Sequence, residues 1–251
     1  MAVTLIDLTR HLDEVLAPAR FSDYAPNGLQ VEGRGRVGRV VTAVSANQAA
    51  IEAAIAARAD AMVVHHGFFW RNEDRTIVGH RARRLGLLLA NEVSLLAYHL
   101  PLDAHPELGN NVGLLRAVGA VPATPFAGEP PIGWIGVLPE PVSLTTLTGR
   151  LEVATGRPPL VFPDGSDPVE RIAAVSGGGA GCFEEAAAAG VDLFVTGEPS
   201  EMAQGLAAEL GVSFAAAGHH GTERFGPRAL GGHLAAAFDL EVSFVDIPNP
   251  V

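Results

Sequence analysis

Five side chains in this 251-residue chain have the types and spacing of ligands for a pair of divalent metal ions: His65 and His66 in VVHHG, Asp103 closing YHLPLD, and His219 with Glu223 in AAGHHGTER. Imidazole nitrogen and carboxylate oxygen together suit zinc, manganese, iron or cobalt without distinguishing among them, whereas calcium takes oxygen alone. Adjacent residues of a regular strand point to opposite faces, so His65 and His66 cannot easily share one ion. Where the backbone turns at Gly67 the two rings can flank a pocket, each serving a different member of the pair. A carboxylate such as Asp103 can bridge both ions, and His219 and Glu223, spaced i and i+4, project to one side of a helical turn. Taken singly, each fragment has a commoner explanation: a satisfied core histidine beside an exposed one, a turn carboxylate next to Pro101 and Pro106, a surface ion pair. Taken together, all of them fall at predicted strand ends, where open α/β sheets form their ligand crevice. The joint pattern favours metal.

His99, four residues before Asp103, and Glu198 in VTGE are weaker candidates, placed only by position as carriers of a proton in catalysis. His105 and His220 border the motifs as candidate supports, His80 lies in a charged insertion, and His233 sits in an apolar helix as a structural residue. SGGGAG at 176–181 lacks the Lys and Ser/Thr of a phosphate loop and reads as a tight strand-to-helix turn.

Composition narrows the chemistry. Cys182 is the only cysteine, which excludes an intrachain disulfide and a cysteine-based metal cage. A hydrophobic share of 48%, a charged share of 18% and a mean hydropathy of +0.24 belong to a chain with a real core. The net charge of -11 argues against broad affinity for nucleic-acid backbones, while leaving room for a local basic pocket that takes a nucleotide. The amphipathic start MAVTLIDLTRHLDEVL lacks the form of a secretion signal, and no long uncharged apolar run occurs, so a cytoplasmic protein without a membrane span is expected.

The positioning elements follow from periodicity. Leu5, Leu8, Leu12, Val15 and Leu16 form the buried stripe of a first helix, with Thr4 as its N-cap. VGRVVTAVS, the alanine-rich NQAAIEAAIAARA and DAMVVHHG read as strand, helix and strand of a parallel crossover. The arrangement recurs: AVS stands at 43–45 and again at 174–176, with a valine nineteen residues after each serine, Val64 and Val195. That alignment matches His65 with Thr196, Ser94 with Ser213 and His99 with Gly218. SLTTLTGRLEVATG echoes the first helix, and the Pro-rich stretch near 122–131 reads as a join. The expected fold is α/β with two structurally related lobes of mixed or parallel sheets, residues 1–124 and 125–251, interlinked and with the metal site between them. An eight-unit barrel is the competing fold at this length. LEVSFVDIPNPV is expected to add a final strand.

SDYAPNGLQVEG, VVHHGFFW, HLPLDAHPELGNN, TGE at 196–198, AAGHHGTER and the closing DIPNP resemble the NIF-three-like dinuclear metal-centre family, also labelled type 2 homologues of GTP cyclohydrolase I. The resemblance runs the whole chain and carries the family's ligands onto His65, His66, Asp103, His219 and Glu223, with none substituted. It implies a homohexamer of the bacterial kind, two divalent ions per subunit and hydrolysis of a nucleotide or related purine compound, damaged nucleotides included. Two neighbouring ions sharing a water would supply hydroxide near neutral pH. The competing readings are metal handling or regulation without turnover, and a phosphoesterase acting on nucleotides or single-stranded nucleic acid.

Overall fold

Helix Leu5–Leu16 is the first helix in the computed structural model, which describes residues 2–251, and follows a short strand, Val3–Thr4, paired with Arg36–Val37. Thr4 Oγ1 accepts the Asp7 N–H, and Leu5, Leu8, Leu12 and Leu16 are buried, so the three-and-four spacing becomes one packed face. The chain then builds two compact units, one from the residues up to Leu102 with Pro227–Ile247, the other from Asp103–Gly226 with Pro248–Val251.

The first unit holds a five-stranded sheet in the order Glu241–Phe244, Arg39–Ser45, Ala61–His66, Ser94–Ala97 and Gly28–Val31. Four strands are parallel and Gly28–Val31 closes one edge antiparallel. Crossovers run through helices Gln48–Ala56 and Gly79–Ala90, whose Ile51 and Leu88 join Val41, Met62, Val64 and Leu95 in one cluster. Val40, Val63 and Leu96 are buried as well, which is why these strands read as continuous apolar runs.

In the second unit six strands run in the order Val121–Phe126, Gly133–Val142, Val169–Val175, Leu193–Thr196, Ser213–Ala216 and Leu160–Phe162. The parallel core of three is flanked by antiparallel strands. Phe183, Phe194 and Phe214 stack on one face, while Leu147, Leu151, Ile172 and Val195 pack on the other. Two open mixed sheets are thus present, as expected for two α/β lobes, and the barrel is excluded.

Two details differ from the sequence reading. The Pro-rich stretch is no join: Val121–Phe126 and Gly133–Val142 form a hairpin inside the second unit. Pro122 and Pro125 are tolerated because that strand is the sheet edge, where a missing N–H removes no central ladder bond. The units therefore divide at Leu102 and Asp103, and the final helix and strand return to the first unit.

The repeat is also offset by one residue. The Asp60 carboxylate accepts the Gly38 and Arg39 N–H groups, Arg39 reaches Ala57 O, and Ser94 Oγ accepts the Gly33 N–H. Asp192 accepts from Glu170 and Arg171, Arg171 reaches Ala189 O, and Ser213 Oγ accepts the Gly165 N–H. Strand pairing agrees, Val40 opposite Ala61 and Ile172 opposite Leu193. The shared AVS letters are accordingly out of step: Ser45 is matched by Gly177, Val64 by Thr196 and His66 by Glu198, whereas Ser94 does match Ser213.

Candidate metal centre

In the first unit, strand Ala61–His66 delivers His65 and His66 at its carboxyl end, and the chain after Ser94–Ala97 delivers His99. His65 is fully buried, His66 is half-buried and His99 is buried. Their rings gather at centroid separations of 4.6 Å (His65 to His66), 4.9 Å (His65 to His99) and 5.6 Å (His66 to His99). One nitrogen from each lies within 4.8 Å of the other two.

Every Nδ1 in this group has a partner: Tyr98 O at 3.2 Å from His65, Ser45 Oγ at 3.0 Å from His66, and Asp23 Oδ1 at 3.0 Å from His99. Such contacts fix the tautomer and aim of a metal-ligating imidazole. Burial alone would raise the Asp23 carboxyl, but the hydrogen bond and charge of His99, with donors from Asn27 and Ala25, drive it well below the usual carboxylate range. Ionised Asp23 accepts a hydrogen bond from His99 Nδ1–H, and in the neutral ring that tautomer leaves the lone pair on Nε2. Asn27 Oδ1 and Asp23 Oδ2 accept the His99 and Leu100 N–H groups, so the SDYAPNG segment clamps this corner.

The second unit gathers the other candidates around the exit of strand Val169–Val175. His219 opens a one-turn helix, His219–Thr222, and its Nε2 lies 3.1 Å from Glu223 Oε1. Its Nδ1 lies 2.6 Å from Glu198 Oε1. Burial lowers the His219 pKa, but hydrogen bonds and charges from Glu223 and then Glu198 outweigh it and push the group up to about 9. Asp103 is 7% exposed, and its Oδ1 accepts from Asn110 Nδ2 at 2.8 Å and Ser176 Oγ at 2.9 Å. Asn111 Oδ1 in turn accepts the Ser176 N–H at 2.7 Å. Gly177, at φ +60, follows directly: a Cβ there would overlap Glu223 Oε1 and approach His219 Nε2 to 3.1 Å. Gly197 is equally confined, its missing Cβ facing the His219 Cα at 2.6 Å.

Within the second unit Asp103, His219 and Glu223 therefore share one neighbourhood, joined through Ser176 and Gly177. His99 belongs with His65 and His66 as a third imidazole of the first unit, and Glu198 orients His219. Asp23, Asn27, Asn110, Asn111 and Ser176 escaped the sequence reading as individual supports, although the SDYAPNG and GNN motifs contain four of them. The long helix after Glu223 starts at Phe225, with Pro227 in its first turn, where a missing N–H is harmless. His105 caps the Glu107 and Leu108 N–H groups, and His233 pairs with His11. Nitrogen donors with oriented Nδ1 atoms in one unit, and an imidazole beside two buried or half-exposed carboxylates in the other, fit a borderline divalent metal.

Comparison with known proteins follows the same lines. The family model described as Duf34/NIF3 (NGG1p interacting factor 3) matches residues 3–250. A Pseudomonas aeruginosa protein called "GTP cyclohydrolase 1 type 2 homolog" is 48% identical over 252 residues, with all of both chains covered. A solved structure described as "Structural genomics, protein ybgI, unknown function" superposes with a TM-score of 0.95 at 45% identity, over 99% of this chain and 100% of the other. The crystal structure of a Thermus thermophilus protein gives 0.91 at 41% identity, with 99% and 100% covered. With the family model spanning nearly every residue and these relatives matching from end to end, the chain belongs to the Duf34/NIF3 (NGG1p interacting factor 3) family.

Proposed function

We propose that the protein is a dinuclear metal-dependent hydrolase acting on a nucleotide or related purine compound, with His65, His66, Asp103, His219 and Glu223 as metal ligands. The observation that carries the reading is the set of imidazoles, His65, His66 and His99, at the ends of strands Ala61–His66 and Ser94–Ala97, each with its Nδ1 tied to a fixed partner and a donor atom within 4.8 Å of the others. The name of the Pseudomonas aeruginosa relative supports a purine nucleotide as substrate.

When bound, two divalent ions supply a water acidified towards neutrality and an electrophile for the oxygen of the group under attack. The chain's own side chains do the rest. Asp103 and Glu223 bring negative charge that offsets the cations, and Asn110 and Ser176 hold Asp103 in one orientation. Glu198 keeps the His219 ring aimed through Nδ1. Asp23 holds His99 in the tautomer whose Nε2 accepts a proton, which makes His99 the group suited to shuttle one.

Metal analysis of the purified protein, then assays on nucleotides and damaged nucleotides with that metal restored, tests the reading. His65→Ala and Glu223→Ala are expected to lose metal and turnover together. Turnover that survives complete metal removal excludes the mechanism, and full metal occupancy with no product from any purine compound favours metal handling instead. A cytoplasmic homohexamer accompanies this reading, supported by the resemblance to bacterial family members; light scattering on the eluted protein reads the subunit number.

A further inference from the structure

Beside the first-unit imidazoles lies a cavity of about 560 Å³ that the metal chemistry leaves unused. Tyr24, Phe69, Trp70, Arg71, Arg75 and Arg81 line it. Its volume falls among pockets that enclose small organic ligands, roughly 300–1,000 Å³. Tyr24 is 51% and Phe69 37% exposed, so two large aromatic rings face solvent at a place where apolar surface is normally covered. Trp70 stacks on Tyr24, with centroids 5.8 Å apart and planes 28° from parallel, and its ring stands edge-on to His99 at 5.3 Å and tilted beside His66 at 5.7 Å. The aromatic wall is thus continuous with the candidate ligands.

The charges in the cavity are unequally committed. Glu73 pairs with Arg81, Asp23 serves His99 and backbone N–H groups, and Asp74 caps the Thr76 N–H. Arg71 is spent on fastening the wall: its N–H donates to Tyr24 O at 2.8 Å and its guanidinium to Asp23 O at 2.6 Å. Arg75 is exposed and makes no side-chain hydrogen bond or ion pair among the described residues. Phosphate oxygens are the acceptors that a guanidinium matches best.

We propose that this cavity is the substrate-recognition subsite, which holds a planar heteroaromatic ring against Tyr24, Phe69 and Trp70 and an attached phosphate at Arg75, delivering the ring's reactive edge to the neighbouring imidazoles. The assignment rests on the hydrolase reading for its substrate class, but the contacts themselves need no metal ligand. Tyr24, Phe69 and Trp70 select the ring, and Arg75 selects the anionic group.

Intrinsic fluorescence tests it. Only two tryptophans occur, and Trp134 lies elsewhere, its indole N–H bonded to Ala104 O, so a Trp134→Phe protein reports from Trp70 alone. Guanosine 5′-monophosphate and guanosine should quench that signal saturably, whereas ribose 5-phosphate should not. Loss of one stacking face in Tyr24→Ala should weaken both ligands by about tenfold, from the usual strength of base-on-aromatic stacking. Arg75→Gln should weaken the monophosphate and spare guanosine. Calorimetry on Trp70→Ala and Trp70→Phe, with metal content measured in each sample, covers the case in which Trp134→Phe folds poorly; the Phe variant should retain most binding. Equal affinity in wild type, Tyr24→Ala and Trp70→Ala, or competition by inorganic phosphate as effective as by the nucleotide, overturns the subsite. Quenching that persists in protein holding no metal and turning nothing over leaves the subsite standing while the hydrolase reading falls; full metal and turnover with a KM unmoved by Tyr24→Ala does the reverse.

Discussion

His219 sits between Glu223 and Glu198, and that placement dictates how the proposed metal site responds to acid. The two carboxylates overcome the effect of burial and hold a proton on the ring up to about pH 9 in the metal-free protein. A raised histidine value means that the ion-pair contribution to stability is fully present below the ordinary value of 6.5 and is lost as the pH climbs through about 9. A cation must displace that proton, so affinity should climb with pH up to the same value, and calorimetry in buffers of different ionisation heat should record about one proton released per ion at this ligand. Glu198→Gln replaces the ionised Nδ1 partner by a neutral acceptor and should weaken metal by on the order of 10–100-fold, with Glu223 still in place. Affinity independent of pH, or untouched by Glu198→Gln, would count against His219 as a ligand. Gly177→Ala makes a second test: the new methyl overlaps Glu223 Oε1, and the residue must hold φ +60 at a strain of about 1–2 kcal/mol. Metal content should fall in that variant far more than melting temperature does. At this scale the candidate residues were legible because His and Asp stand in short runs beside Gly and Pro. The supports were not, because Asp23 and Ser176 reach their partners across 76 and 73 residues of chain.

The crossover units explain both what the letters revealed and where they misled. Alternating apolar and helical stretches give strand, helix and strand twice, and the structure contains them twice. AVS at 43–45 and 174–176 nonetheless aligned the copies one residue out, because identical letters carry no hydrogen bonds; the bonds from Asp60 and Asp192 carry the true register. With that register His66 and Glu198 occupy equivalent exits, so one position supplies an imidazole in one copy and the carboxylate that orients an imidazole in the other. Each aspartate receives two backbone N–H groups at 2.8–2.9 Å from the start of the preceding strand. Asp60→Ala and Asp192→Ala each strand two such donors, and each should cost about 1–3 kcal/mol in a urea titration, similar for the two if the copies are structurally equivalent. Asn at either site should recover part of the loss.

Over the whole molecule, the chain's return to the first unit after Gly226 is the feature that local pattern could not disclose. LEVSF is recognisably a strand, but which sheet it joins depends on Glu241–Phe244 lying parallel to Arg39–Ser45, about two hundred residues away in sequence. The returning helix Phe225–Phe238 brings His233 against His11 of the first helix, with Nε2 atoms 2.8 Å apart and rings stacked at 5.1 Å. One Nε2 must donate and the other accept, so the contact fails once both rings are protonated. Burial, and then the charge of His233, lower the His11 pKa from 6.5 against a smaller opposing pull from Glu14; Phe238, edge-on at 4.9 Å, adds no charge. A lowered histidine value means that protons prefer the unfolded chain. The packing of the two helices is therefore fully stable above 6.5 and weakens as the pH falls through that value towards the lower folded one. Melting curves between about pH 8 and about pH 5 should show this decline in wild type, and His11→Phe, which keeps a ring against His233 but cannot take a proton, should flatten it. If both proteins lose stability in parallel over that range, acid sensitivity originates elsewhere and the pair has no part in fastening the returning helix.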